Sequence, residues 1–440
     1  MQALLSFDQA PPLDAPLRFF LTAPLFAVFA GLLLLWGGPD IFASRWTPDA
    51  LALTHLITAG FMLQAMLGAL FQLLPVVAGA NMPRPRLVAG IVHALLTAGT
   101  LLLVVGFLRF ESQWFRLAVL FLGAGTGLFI VAAAGALRGI PSASPTIRGL
   151  KLSLAGLAVT VGFGLLLAAS LGWAFDLPLA RLTDIHLGWG LVAWGCALLA
   201  AVGYVVVPMF QLTPSYPLWF GRAFSVAAPA VAFAWTLAEL LEWQLLGTVL
   251  AALVVLTAAG FAGITLHLQW RSKRARLDVT QVYWRVAMVS ALVAAALWLA
   301  AMLLPVLAEW PGWPLLFAVL LLHGGFMSVI VGMFYKIVPF LVWLHLQNAG
   351  RGRLMAPNMK KVLAEKSMEG QMRAHFATLA LLVAAVIWPA WLIYPAGFAL
   401  VLANAWLLRN LFSALGVYRD HLARIAALEV PGEGGPTGPS

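Results

Sequence analysis

Long uninterrupted apolar runs dominate the chain, and polar residues collect in the short gaps between them. A bilayer core takes roughly 20 apolar residues of helix. On that measure the pattern predicts twelve spans, near 17–37, 50–78, 87–108, 115–137, 150–173, 183–210, 222–241, 246–268, 283–305, 313–343, 375–392 and 394–417. The last two are separated at WPAWLIYPAG, read as a tight turn with Trp and Tyr anchors. The gap at 346–374 is the longest, and its PNMKKVLAEKSMEGQMR stretch reads equally as a short surface helix or a solvated connector.

Composition agrees. The chain has 440 residues, 62% hydrophobic and 10% charged, where soluble domains carry roughly 25% charged. Forty glycines and 18 tryptophans fit close helix packing and interfacial anchoring. The opening MQALLSFDQAPPLDAPLRFF lacks the charged start and small-residue cleavage site of a signal peptide. Cys196 is the single cysteine, which excludes an intrachain disulfide and any CxxC metal site. The expected organisation is one polytopic membrane domain over 1–428 and a Pro/Gly-rich, disordered cytoplasmic tail over 429–440.

The net charge of +10 would point to nucleic acid in a soluble protein. Here the cations lie in short gaps and read as topology signals, with no nucleic-acid surface. With the N-terminus in the cytoplasm, only Arg45, Arg109, Arg116 and Arg181 fall outside, leaving 22 of the 26 basic residues inside. The positive-inside rule then places both termini in the cytoplasm of a bacterial-type inner membrane.

Spans two, six and ten share a pattern. Each carries a histidine and later an aromatic-x-x-x-Pro step: His55 with Phe71 and Pro75, His186 with Tyr204 and Pro208, His323 with Tyr335 and Pro339. The prolines are 133 and 131 residues apart and the histidines 131 and 137. This predicts three units of four helices, about 17–137, 150–268 and 283–417. The shorter His323–Pro339 interval should set His323 roughly 6 Å deeper than His55.

Ionisable groups inside a membrane are costly and mark functional sites. Neutral imidazole binds metals and haem iron, so His55, His323 and His186 are the candidate cofactor and metal ligands, with His55 and His323 the first choice of axial pair. The plainer reading of each is a hydrogen-bonded structural histidine. His93 is a weaker candidate; His267 and His345 read as interfacial anchors, and His375 and His421 as cytoplasmic or interfacial residues without a role. Met62, Met66 and Met327 offer soft ligands suited to Cu(I), although flexible packing is the commoner use. No carboxylate lies deep in a span, and Lys336 reads as snorkelling to the cytoplasm.

Twelve helices in three arcs of four, with histidines on the second and tenth, resemble haem–copper oxidase subunit I. Locally, His55, Gly60 and Pro75 resemble the second helix of NnrS-like membrane proteins. PVVAGANMPRP and GMFYKIVPF resemble the ends of the oxidase second and tenth helices. The resemblance implies haem b, with copper a lesser alternative, and a role in respiration, nitric oxide response or haem and copper handling. It also implies partners such as a respiratory-chain electron donor or a small gas ligand. Span seven, RAFSVAAPAVAFAWTLAELLEW, lacks the oxidase copper-site histidines, and residue 53 is Leu where NnrS-like proteins carry a second histidine. Oxygen reduction is therefore not expected. A different class stays open: a cofactor-free permease of a small solute, contacted by Gln64, Gln72 and Ser328.

Overall fold

Proline and small polar residues set the helix starts. Thr47 accepts a hydrogen bond from the Ala50 amide and Ser144 from that of Ile147, each followed by a proline at the first helical position. In the computed structural model, which describes residues 6–350 and 354–429, twelve helices are long and apolar enough to cross a membrane. They are α1 (Asp14–Ala43), α2 (Pro48–Ala78), α3 (Pro85–Arg109), α4 (Ser112–Leu137), α5 (Pro145–Trp173), α6 (Leu179–Gln211), α7 (Leu218–Leu240), α8 (Gln244–Trp270), α9 (Val279–Leu303), α10 (Trp313–Gly350), α11 (Glu365–Ile387) and α12 (Pro389–Leu428). Short helices at Phe7–Gln9, Pro305–Glu309 and Met359–Val362 complete the described residues. The chain is thus an all-helical, multi-pass membrane protein, as its hydropathy pattern predicts.

Consecutive helices pack side by side, and α12 packs on α1, so the bundle closes on itself. The α1–α12 seam depends on small residues: a Cβ on Gly31 would lie 2.8 Å from the Gly397 carbonyl. Three helices sit innermost. Within their most apolar stretches α2, α6 and α10 are 72%, 67% and 61% buried, against 56% or less for the others. Outward-facing tryptophans such as Trp36, Trp270 and Trp391 lie at helix ends, where an interface needs amphipathic rings. Because the helix number is even, α1 begins and α12 ends on one face, the terminal face.

Each innermost helix contains a π-helical stretch: Leu56–Leu63 in α2, Trp189–Cys196 in α6 and Val319–Met327 in α10. Each stretch ends twelve residues before the helix's internal proline, at Pro75, Pro208 and Pro339. Each packs on the first helix of its own set of four, α1, α5 or α9.

Three boundaries differ from expectation. The last break falls at Trp388, which leaves helical geometry (φ −126°, ψ 65°), and Pro389 restarts the chain as α12. WPAWLIYPAG is therefore mostly helix, with Pro395 inside α12. The basic stretch before span eleven divides: Met359–Val362 is a separate turn, and from Glu365 onward it is the start of α11. Arg351, Arg353 and the tail from 430 onward, including its predicted disorder, lie outside the described residues.

Candidate functional site

His55 and His186 are each seven residues into their helices, α2 from Pro48 and α6 from Leu179. That is about 10 Å below the face opposite the termini. The Nδ1–H of His55 donates to the Leu51 carbonyl at 2.8 Å, and that of His186 to the Thr160 carbonyl of α5 at 2.9 Å. A carbonyl can only accept, so each bond fixes the tautomer with an unprotonated Nε2. Neither Nε2 has a hydrogen-bond partner among the described residues. A metal-binding histidine characteristically has this arrangement, one ring nitrogen held by a carbonyl and the other open.

The surroundings hold both rings. Phe107 of α3 lies beside His55, ring centroids 5.1 Å apart. Gly164 of α5 makes room for the other ring, since a Cβ there would be 2.9 Å from His186 Cε1. Helices α2 to α6 pack in series as an arc around this position. At the opposite face Arg45 and Asp184 bridge its ends at 2.9 Å. Toward the terminal face Leu73, Val77, Leu150, Val202 and Val206 of α2, α5 and α6 converge on an apolar cavity of only about 10 Å³.

His323 is placed differently. It lies inside the π-helical stretch of α10, whereas His55 and His186 precede theirs. Its ring stacks on that of His375, centroids 4.2 Å apart and planes 14° from parallel. His323 Nε2–H donates to the His375 carbonyl at 3.3 Å. Ser328 donates to the His323 carbonyl at 3.2 Å, so His375 Nε2–H donates to the serine oxygen at 2.9 Å. The pair abuts a buried network in which Tyr283 and Tyr335 both donate to Gln371, at 2.7 and 2.9 Å, and Asn410 donates to Tyr335.

From the sequence His375 is expected to be cytoplasmic or interfacial and without a role. It is fully buried instead, because α11 begins ten residues earlier, at Glu365. The charges of EKSMEGQMR hide that start from a hydropathy reading. A helical period would have found it, since Gln371, His375 and Thr378 occupy one face at i, i+4 and i+7, and all are fully buried.

His93 and His345 have structural partners. His93 Nε2 is 2.8 Å from Thr22 Oγ1. His345, read as an interfacial anchor, is bonded to the Leu341 and Pro11 carbonyls and so ties the N-terminal segment to α10. Lys336 does not extend freely to solvent but pairs with Asp278 at 2.6 Å. Met62, Met66 and Met327 are buried in the apolar core. No group of three or more His, Cys, Asp or Glu positioned to hold a metal ion occurs among the described residues.

No family model matches the chain, and no curated protein matches it. What fold and site define is a multi-pass helical membrane protein with two similarly held imidazoles, His55 on α2 and His186 on α6, each open at Nε2.

Proposed function

We propose that this protein is a haem-binding membrane protein in which His55 and His186 are the axial ligands of one haem. The observation that carries this is the shared state of the two rings: equal depth, Nδ1 on a backbone carbonyl, Nε2 open. The residues fit the group, because neutral imidazoles on separate helices, each with one free nitrogen, are a donor set that would hold a haem. His323 is the sequence-based choice of partner for His55; we favour His186 because the His323 ring is stacked on His375 and donates its Nε2–H to the His375 carbonyl. The haem is held non-covalently, since c-type attachment needs a CxxCH motif and Cys196 is the single cysteine; haem b is the type the oxidase resemblance implies.

Such a haem supplies one-electron chemistry. Two protein ligands leave its iron no open position, which favours electron transfer with a respiratory-chain partner over capture of a gas. The chain's own residues hold the ligands: Leu51 and Thr160 fix their tautomers, Gly164 gives His186 clearance, and the valine and leucine seal excludes water from the terminal face. The three π-helical stretches in register with three prolines favour an origin by repetition of a four-helix unit, on a haem–copper oxidase-like plan. The concentration of basic residues on the terminal face favours an inner membrane with both termini cytoplasmic.

A second reading, a cofactor-free permease, draws on one observation. Gln64 is fully buried in α2, its Nε2 donates to Thr97 at 2.9 Å, and its Oε1 has no partner. Protein purified from haem-supplied cells separates the two. Reduced-minus-oxidised absorption and haem extraction should give one haem per chain; a featureless spectrum overturns the haem reading and favours the permease.

A further inference from the structure

At the terminal face α6 ends, α8 ends and α9 begins, and polar side chains stitch the three together. Gln269 of α8 donates to the Gln211 side chain of α6 at 2.8 Å, and Arg285 of α9 donates to the Gln269 carbonyl at 3.0 Å. Arg274, in the α8–α9 connection, donates to the Phe210 carbonyl at 2.7 Å. Asp278 caps α9 at the Gln281 amide and pairs with Arg274 and Lys336.

This stitching uses only part of the polar capacity. Gln211 Nε2, Gln269 Oε1, both amide atoms of Gln281, Trp284 Nε1 and the Nε atoms of Arg274 and Arg285 are buried without a partner. Gln211, Gln269, Gln281 and Trp284 are each at most 1% exposed. Unpaired buried groups are costly and rare, so this many in one junction call for a missing partner.

We infer that the junction of α6, α8 and α9 binds a phosphate-type anion. Arg274 and Lys336 pair with one carboxylate, Asp278, and Arg285 is bonded to the Gln269 carbonyl with no carboxylate beside it among the described residues, which leaves an excess of two positive charges. Water would satisfy the amides but not that charge. Five of the unpartnered atoms are donors suited to phosphate oxygens. The two glutamine oxygens suit a hydroxyl on a phosphate or on a lipid headgroup. Entry is from the terminal face, where Arg274, Asp278 and Lys336 are 21–28% exposed and Arg271, Lys273 and Arg276 surround the mouth. Basic pockets between membrane helices characteristically hold anionic headgroups. The inference is independent of the haem reading.

The test uses the full chain in detergent. Native mass spectrometry and phosphorus analysis read retained phospholipid; after delipidation, thermal melting with inorganic phosphate is compared with chloride at equal ionic strength. Retained lipid that falls at least tenfold in Gln281→Leu/Arg285→Gln identifies a headgroup. Without retained lipid, a melting shift produced by phosphate in the parent and lost in that variant identifies the free anion. Lys336→Gln, at the exposed rim, should weaken either effect several-fold and serves if the double variant does not fold. A parent protein that shows no retained lipid and no phosphate effect, or variants that leave both unchanged, overturns the inference.

Discussion

Two histidine pairs occupy this bundle; in both, each ring has one bonded nitrogen and one without a hydrogen-bond partner, and the pairs differ in which nitrogen is held and in how the rings meet. His55 and His186 are half-buried on different innermost helices, each held by a backbone carbonyl and open at Nε2. His323 and His375 are buried, stacked on each other and committed to Ser328 and a backbone carbonyl. One pair has the form of a ligand set and the other of a structural core element. The difference follows from a few residues of offset. Relative to the end of each π-helical stretch, His55 and His186 are eight and ten residues back, and His323 only four. That shift carries His323 out of the frame of the other two and against α11.

Substitutions can break the comparison. The largest expected effect is on cofactor content: His186→Ala or His55→Ala should lower haem affinity about 10–100-fold and so remove about 90% or more of the bound haem through purification, since one of two iron ligands is lost, whereas His323→Ala should retain it. Extracted haem per purified chain reads this directly. Next is stability in the closed region. Gln371→Leu leaves the Tyr283 and Tyr335 hydroxyls without their acceptor and should cost about 2–4 kcal/mol. Thermal unfolding in detergent would drop accordingly, with haem per folded chain unchanged.

A smaller effect distinguishes clearance from packing. Gly164→Ala places a Cβ 2.9 Å from His186 Cε1, so the ring must shift, at about 1–2 kcal/mol. Weaker haem retention and a displaced absorption band are expected. The smallest is Arg45→Gln. Its pair with Asp184 is 37% and 47% exposed, so its loss should change stability by less than about 1 kcal/mol, and less again in high salt.

The sequence made the twelve helices legible because hydropathy alone counts them and short basic gaps separate them. It also exposed the three marked helices, whose prolines stand at fixed distance from their π-helical stretches. The π stretches themselves were hidden: LITAGFML, WGLVAWGC and VLLLHGGFM share no local signature that separates them from ordinary helix. The shorter His323–Pro339 interval already marked His323 as offset from His55, but without the π stretches the sequence did not show that the offset carries it against α11. His375 was hidden for another reason, because the charged first turns of α11 resemble a loop. The junction of Gln211, Gln269 and Gln281 is dispersed over 70 residues of sequence and becomes visible only when α6, α8 and α9 are brought together.

Low-temperature electron paramagnetic resonance of the oxidised protein tests the central claim most directly. With His55 and His186 both on the iron, the parent protein and His323→Ala should give the same low-spin signal of two axial imidazoles, and any haem left in His186→Ala should be high-spin. A low-spin signal that survives in His186→Ala but disappears in His323→Ala would contradict the account and return the iron to α10.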